Sequence, residues 1–440
     1  MIPINILKSR RKKILSKMIS GSAILIFANP KNNKNNSYQF YQNKNFWYFT
    51  GFNEPYSLLI MIKQDNKDNL KILFNRARNV DEEIWVSRRL GLNEAVTKID
   101  VDYALPWDSV HEHLFKLLNG LKIIYHAWGE HKYADKLVFN VLEDLRLRTL
   151  KHQDYISPST IIDWRPLVYE MRLFKDPEEI NLLRTSGKIN ALAHTRAMKC
   201  CRPGMFEYQL AGEIHHEFNR NGSRRLSYDT IIGSGENTCI LHYTKNENQM
   251  QDGDLVLVDA GCDFNEYASD ITRTFPVNGK FNKQQKDIYN IVLNSLNTAR
   301  SMLKPNINMQ DINNHVIHII INGLIKLGLL KGKIDELIAT HAYHKFFMHN
   351  LGHWLGLEVH DVGFYGKTIN NQILKPNMVL TIEPGIYILP NKKHIPVEYH
   401  GIGVRIEDNF IITETGNECI TDGVVKEIKD IENIMRILNK

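Results

Sequence analysis

The chain has 440 residues, of which 43% are hydrophobic and 24% are charged, and its formal net charge is +6. This composition is typical of a soluble globular protein, and the length predicts two domains because one ordinary core does not grow so large. No basic patch with interleaved aromatic residues accompanies the charge, and no apolar run approaches the roughly 20 residues of a membrane span. Neither nucleic-acid binding nor membrane insertion is therefore expected.

The N-terminal segment is similar to a targeting signal only in its charge. Residues 8–13 are basic, but the apolar run over residues 23–28 is too short for the central region of a signal peptide and predicts a core strand. The five cysteines lack CxxC spacing, which indicates neither a disulfide framework nor a zinc knuckle. We therefore expect a reducing, cytoplasmic location.

The first part of the chain has the pattern of an α/β domain. Short runs rich in strand-forming residues, at 56–62 and 70–74, alternate with amphipathic stretches. This pattern changes after Leu173, so we predict an N-terminal α/β domain over residues 1–173 and a second domain over residues 174–440.

Capping chemistry marks the start of the second domain. Asp176 is a suitable helix N-cap, Pro177 suits the first helical position, and Glu179 can reach back to the cap amide. A long helix should follow and end near Gly204. Further amphipathic helices are predicted over residues 206–220, 284–303 and 312–327.

Two apolar, strand-like runs each end in an acidic residue at a turn. The first run ends in Asp259 before Ala-Gly, and the second ends in Glu383 before Pro-Gly. Each is followed by another acid in a strand-like context, Asp270 after the first and Glu407 after the second. Taken alone, each terminal acid could merely cap a turn.

Taken together, the two regions indicate an internal duplication. His242 precedes the first and His360 precedes the second, so the repeated order is histidine, turn, strand with acid, strand with acid. Two related hairpins folded face to face would bring the four acids to one point. Burying four carboxylates without cations would cost several kcal/mol per group, which favours a metal site.

A fifth ligand is predicted in the segment that runs from His349 to Gly356. The spacing of His349 and His353 is similar to that of a zinc-protease helix, but Asn350 stands where that motif has Glu, and glycines interrupt the segment. A Gly-flanked strand or loop is the better interpretation, with His353 as a ligand. Four carboxylates and one imidazole favour two divalent ions, manganese rather than zinc. We expect no ligand role for His215, His216, His341 and His344.

Many of these segments carry a family resemblance. They are Phe46 to Pro55, Glu83 to Trp85, Trp164-Arg-Pro, Gly233 to Asn237, Cys239 to Tyr243, Asp254 to Gly261, Asp270 to Pro276, His349 to Gly356, Glu358 to Gly363, Glu383 to Tyr387, and Gly403 to Asp408. Together they resemble bacterial aminopeptidase P, the Xaa-Pro aminopeptidases among the pita-bread metallopeptidases. The resemblance reaches nearly the whole chain.

The resemblance implies a fold and a metal centre. The fold class would be α/β (α+β), with an N-terminal α/β domain for substrate enclosure and oligomer contacts, followed by a catalytic pita-bread domain of duplicated ααββ units. Asp270 and Glu407 would bridge two metal ions, Asp259 would bind one of them, and His353 with Glu383 would complete the other. Glu383 would also pass a proton from the nucleophile, as general acid-base logic allows.

Further residues are implied to act on the substrate. His242, His349 and His360 resemble non-ligand active-site histidines, which can stabilise an oxyanion or hydrogen-bond the substrate. Arg405 lies two residues before Glu407, on the same strand face, and would support the acid or the substrate. Tyr387 follows the Glu383-Pro-Gly turn. For both, packing or structural ion pairing is the alternative.

The implied activity is release of the N-terminal residue from peptides with proline second, by a metal-bridging hydroxide that attacks the Xaa-Pro bond. A homotetramer is implied, with Trp85 enclosing the substrate N-terminus of a neighbouring subunit or else simply buried. The alternatives are a prolidase acting on Xaa-Pro dipeptides, a methionine aminopeptidase and a non-catalytic pita-bread binding module. Tyr41 and Asn350 depart from the common family residues, Arg and Gly, which bears on the contacts of the N-terminal domain.

Overall fold

The computed structural model describes residues 2–31, 40–64, 68–85, 87–364 and 366–436. The chain divides into two compact units, Met1–Tyr169 and Glu170–Lys440. The division falls within the helix Arg165–Leu173, and the domain boundary placed after residue 173 stays a prediction. Among the described helices, none is both long and apolar enough to cross a bilayer.

The first unit is built on one mixed sheet with the described strand order β4-β3-β2-β1-β5-β6. Its central strand β1 pairs antiparallel with β2 and parallel with β5. The strands predicted at 23–28, 56–62 and 70–74 are confirmed as β1, β2 and β3. The strands are β1 (Ser22–Phe27), β2 (Leu58–Lys63), β3 (Leu70–Asn75), β4 (Tyr103–Pro106), β5 (Ile123–His126) and β6 (Thr160–Ile162).

Helices accompany this sheet, and apolar side chains of α5 and α6 join its core. Leu114 and Val138, for example, are fully buried in the same cluster as Leu25 and Ile60. The helices are α1 (Ile4–Lys17), α2 (Lys44–Thr50), α3 (Val80–Glu83), α4 (Gly91–Ile99), α5 (Val110–Leu118), α6 (Lys132–Thr149) and α7 (Arg165–Leu173).

The second unit begins with the predicted capped helix. The Asp176 side chain accepts from the amides of Glu178 and Glu179, and the Glu179 carboxylate accepts from the Asp176 amide at 3.0 Å, which confirms the capping box. The predicted helix pairs are also confirmed, because α8 packs against α9 and α10 against α11. The helices are α8 (Pro177–Cys200), α9 (Glu207–Arg220), α10 (Lys283–Met302), α11 (Met309–Lys326), α12 (Ile334–Ala339) and α13 (Ile428–Arg436).

Small antiparallel sheets form the β layer of this unit. The described orders are β12-β9-β8, β13-β16-β17, β14-β15 and β11-β10-β7. The strands are β7 (Arg225–Leu226), β8 (Ile231–Ser234), β9 (Leu255–Ala260), β10 (Cys262–Phe264), β11 (Tyr267–Ala268), β12 (Ile271–Pro276), β13 (Val379–Ile382), β14 (Gly385–Ile388), β15 (Ile402–Arg405), β16 (Asp408–Ile412) and β17 (Asn417–Cys419).

A backbone bridge joins strands from the two halves of the second unit. Thr272 on β12 forms an isolated bridge with Glu407, whose amide donates to the Thr272 carbonyl at 3.0 Å. A β12–β9 hairpin from the first half therefore joins a β13–β16 pair from the second half. One continuous hydrophobic core contains residues of both helix pairs and both hairpins.

Candidate metal centre

The four predicted acidic ligands lie at corresponding places in the two halves. Asp259 is in β9 and Asp270 directly precedes β12, while Glu383 directly follows β13 and Glu407 directly precedes β16. All four acids and His353 line one cavity of about 530 Å³ within the second unit. The structure thus brings together side chains that are widely separated in the sequence.

Three of the predicted ligands converge most closely. Within the described residues, ligand atoms of Asp270, His353 and Glu407 lie within 4.8 Å of one another. The Nε2 atom of His353 is 3.4 Å from Oδ2 of Asp270 and 3.9 Å from Oε1 of Glu383. Its Nδ1 atom lies 3.0 Å from the Trp354 carbonyl, to which it must donate. Its Nε2 atom is therefore the ring nitrogen that faces the acids, as in a histidine that binds metal through Nε2.

His353 reaches this position because its segment is not helical. Thr381 on β13 donates its amide to the His353 carbonyl at 2.9 Å. A Cβ atom on Gly352 would lie 2.0 Å from the Thr381 carbonyl oxygen, so only glycine allows this approach. The prediction of a Gly-flanked strand or loop in place of a zinc-protease helix is confirmed.

The carboxylates fit a cation site. The Oε2 atom of Glu407 accepts from the Thr272 hydroxyl at 2.8 Å, but Oε1 is buried and has no hydrogen-bond partner among the described residues. Burial, followed by the neighbouring charge of Asp259, raises the pKa of Asp270 well above its usual range. Burial, followed by the charge of Asp270, does the same to the pKa of Glu407. Divalent cations would relieve both the repulsion and the unsatisfied oxygen.

Asp259 is held by two residues. The Tyr228 hydroxyl is 2.6 Å from Oδ1 of Asp259 and also lies against Oδ1 of Asp270. Arg405 donates from Nη2 to Oδ2 of Asp259. Arg405 and Glu407 both contact the Thr272 hydroxyl, as expected of side chains on one strand face. The acid that Arg405 supports is nevertheless Asp259, which the sequence did not indicate.

Arg405 also begins a hydrogen-bonded chain along the cavity. Its Nη1 atom donates to the Tyr387 hydroxyl at 2.9 Å, and that hydroxyl is 2.8 Å from Nε2 of His349. The Nδ1 atom of His349 lies 2.8 Å from the Asn350 carbonyl and donates to it. Burial, followed by the charge of Arg405, lowers the pKa of His349 to about 4. The ring is therefore neutral, and its Nε2 accepts from Tyr387.

The other predicted histidines occupy the cavity wall. His242 and His360 are exposed and line the cavity. The ring of His360 packs edge-on against that of His353, with centroids 4.3 Å apart. His215 instead bonds to the Thr230 hydroxyl at 2.8 Å. His215, His216, His341 and His344 are not among the residues that line the cavity.

Nearby ion pairs anchor the backbone of the centre. Arg273 is fully buried, and it donates to the Glu407 carbonyl at 2.6 Å and to the Asp408 carboxylate at 2.7 Å. Lys426 donates to the other Asp408 oxygen at 2.8 Å. Asp408 also groups with Cys419 and Asp422. Because cations of the protein already neutralise Asp408, we interpret this group as structural.

Two contributors to the site were missing from the predictions. Thr272 lies two residues after Asp270, so strand alternation could have placed both on one face. Tyr228 lies in a segment with no periodic signal, and its partners Asp259 and Asp270 are 31 and 42 residues away in sequence. Only the folded chain reveals that contact.

Comparisons with known proteins agree with this architecture. The family model "Metallopeptidase family M24" matches residues 181–414, and the model "Aminopeptidase P, N-terminal domain" matches residues 7–125. The Xaa-Pro aminopeptidase of Escherichia coli (strain K12) is 55% identical over 97% of this chain and 96% of its own length. That of Haemophilus influenzae is 45% identical, again over 97% and 96%.

The fold agrees as well. A solved structure of zinc-substituted Escherichia coli aminopeptidase P in complex with product has a TM-score of 0.97 and 54% identity, covering 100% of this chain and 99% of that one. This likeness confirms the predicted fold class, an N-terminal α/β domain followed by a pita-bread domain. The chain therefore belongs to metallopeptidase family M24 and, within it, to the Xaa-Pro aminopeptidases.

Proposed function

We propose that this enzyme cleaves the Xaa-Pro bond of peptides in the cavity of the second unit. The observation that carries the proposal is the convergence of Asp270, His353 and Glu407, with one buried Glu407 oxygen left without a protein donor. A binding module that had lost its chemistry would not need to keep this ligand set. The similarity to Xaa-Pro aminopeptidases supplies the substrate class.

The ligand set that we propose for two divalent ions is the one predicted from the sequence, with Asp270 and Glu407 shared between them. Manganese is the proposed metal, because four carboxylates and one imidazole form an oxygen-rich set. When bound, such ions lower the pKa of a water molecule and polarise the scissile carbonyl. The proposed ligands are Asp259, Asp270, His353, Glu383 and Glu407.

Glu383 is the proposed proton carrier. Its Oε1 atom lies 3.9 Å from Nε2 of His353, and its Oε2 atom lies 3.7 Å from Nδ1 of His349. It lines the cavity and stands between the metal-binding ring and the hydrogen-bonded chain of His349, Tyr387 and Arg405. A carboxylate so placed can accept the proton of a nucleophilic water and deliver it to the leaving amine.

The three non-ligand histidines divide between two roles. Both ring nitrogens of His349 are already used, by Asn350 and Tyr387, so His349 holds Tyr387 and Arg405 in place. His242 and His360 are exposed on the cavity wall, so they are the donors we propose for the substrate carbonyl and the leaving group. Removing such a donor commonly lowers turnover on the order of a hundredfold or more.

The lining of the cavity suits a proline residue after the scissile bond. An Xaa-Pro bond has no amide N–H, so the pocket beyond the cut needs a surface for the ring and no acceptor for a peptide donor. Ile231, Leu241 and Val359 supply apolar lining.

The length of the accepted peptide is tested with three substrates. Purified enzyme should release alanine from Ala-Pro-Ala. Exclusive cleavage of Ala-Pro would indicate a prolidase, and cleavage of Met-Ala-Ser a methionine aminopeptidase.

We further propose a cytoplasmic homotetramer. Trp85 and Ile84 are 87% and 75% exposed, and exposed apolar side chains of this size are typical of interaction surfaces. All five cysteines are free thiols, which suits a reducing compartment. Light scattering on the wild type and on Trp85→Ala would test the assembly, and a monomeric wild type would contradict it.

A further inference from the structure

Tyr228 joins two of the proposed metal ligands. It lies two residues after the end of β7, lines the cavity, and places its hydroxyl 2.6 Å from Oδ1 of Asp259 and against Oδ1 of Asp270. Its ring packs closely against the backbone of Gly261, where a Cβ atom would lie 2.7 Å from the ring atom Cε1. The hydroxyl is therefore held at a set position between two carboxylates.

The Oδ2 atoms of these two aspartates contact different residues. Oδ2 of Asp259 accepts from Arg405, whereas Oδ2 of Asp270 faces Nε2 of His353. A phenol has a single hydrogen and two acceptor lone pairs, so Tyr228 can donate to only one aspartate at a time. Its contact with both Oδ1 atoms nevertheless brings them to the same hydroxyl and restricts rotation of each carboxylate.

We propose that Tyr228 is a positioning residue that sets the mutual orientation of Asp259 and Asp270 for the binding of two metal ions. The inference rests on the proposed ligand set and adds a determinant of metal affinity to it. Outer partners of metal ligands commonly change metal affinity by about 10- to 100-fold when they are removed. Because Tyr228 spans two ligands, its loss should weaken the paired site and not the fold.

Tyr228→Phe is the sharpest variant, because it keeps the ring against Gly261 and removes only the hydroxyl. Tyr289→Phe is the matched control: Tyr289 is also buried in the second unit, but its hydroxyl donates to the Lys426 carbonyl at 2.7 Å and does not line the cavity. Both variants and the wild type would be prepared metal-free as full-length protein and titrated with Mn²⁺ by calorimetry. Electron paramagnetic resonance would report the coupling of paired ions.

For Tyr228→Phe we expect at least one Mn²⁺ to bind about 10- to 100-fold more weakly, together with a changed coupling signal. The stabilisation of the fold by Mn²⁺, measured as the rise in Tm, should be smaller than in the wild type. Tyr289→Phe should bind Mn²⁺ like the wild type.

Suppose that the wild type binds two ions and that Tyr228→Phe gives the same titration and the same rise in Tm. That result would overturn the role of Tyr228 and leave the ligand set intact. A wild type that binds fewer than two ions would instead overturn the ligand set, and this inference with it. Circular dichroism of the metal-free variant checks the fold. If Tyr228→Phe does not fold, the proposal is also overturned, because the residue would then be structural.

Discussion

His353 lies with its free nitrogen toward Asp270, Nε2 to Oδ2 at 3.4 Å, while its other nitrogen is fixed by a backbone carbonyl. His360, whose ring packs against the same imidazole, is exposed on the wall of the cavity. These neighbouring histidines therefore have different surroundings, and we propose that the difference separates a metal ligand, His353, from a group that contacts substrate, His360.

His353→Ala should lose metal and activity together, because it removes the lone pair that faces the acids. His360→Ala should keep its metal and lose turnover of Ala-Pro-Ala on the order of a hundredfold, as for an oxyanion donor. The measurements are metal content by elemental analysis and kcat for each variant. Equal metal loss in both variants would make His360 a ligand or a structural residue.

Removal of metal should abolish activity. The carboxylates repel one another, and a metal-free site lacks the Lewis acid that activates water. Exhaustive chelation followed by dialysis should eliminate hydrolysis of Ala-Pro-Ala, and added Mn²⁺ should restore it. Mg²⁺ added in the same amount is the control for non-specific ionic effects. Full activity in a sample verified as metal-free would sink the two-metal proposal.

Tyr387→Phe should lower kcat by roughly 5- to 30-fold, since it removes two buried hydrogen bonds. Each such bond is worth about 1 kcal/mol, and about 1.4 kcal/mol in the barrier is tenfold in rate. The change leaves Nε2 of His349 without its donor and Arg405 without one acceptor, while the acids keep their positions. Metal content should be unchanged. Tyr243→Phe, which breaks a 2.9 Å bond to Glu207 elsewhere in the unit, is the control. An unaltered kcat would show that this chain of hydrogen bonds does not contribute to turnover.

Stability toward acid should depend on His194, a fully buried residue of α8 whose Nε2 is 3.3 Å from the Ala260 carbonyl. Burial, followed by the charge of Arg273, lowers its pKa to about 4. An unfolded chain binds this proton below about pH 6.5, whereas the folded protein resists it. The free energy of unfolding should therefore fall between about pH 6.5 and pH 4, by roughly 3 kcal/mol from this group.

Urea unfolding of the metal-free wild type and of His194→Gln, at pH 7 and pH 4.5, measures this contribution. Both proteins share the acidic ligands, so the difference between them isolates the imidazole. The variant should lose less stability on acidification than the wild type. Parallel losses would show that His194 accepts its proton equally well in both states.

Much of the fold and of the site could be predicted because the signals are local. The capping box at Asp176 and the acids at the ends of apolar runs each need only a few adjacent residues. The internal duplication then indicated that Asp259 and Glu383 would share one site. The pairing of the strands could also be predicted, because the register of a strand is fixed once one of its faces is buried.

The partners of those acids could not be predicted, because they depend on long-range packing. Arg405 meets Asp259 across 146 residues of sequence. Tyr228 precedes the first hairpin, yet it reaches both aspartates because Gly261 leaves room for its ring. Periodicity reports which face a side chain occupies, but not which distant group it meets there.

Two neighbouring positions of the cavity wall should differ in the substitutions that they tolerate, because Gly352 lies against Thr381. A library randomised at position 352 should yield active clones with glycine alone, since any side chain would displace the strand that sets His353. Position 350, which is exposed on the cavity, should accept many residues. Redesign of peptide preference should therefore begin at Asn350 and leave Gly352, beside the proposed ligand His353, unchanged.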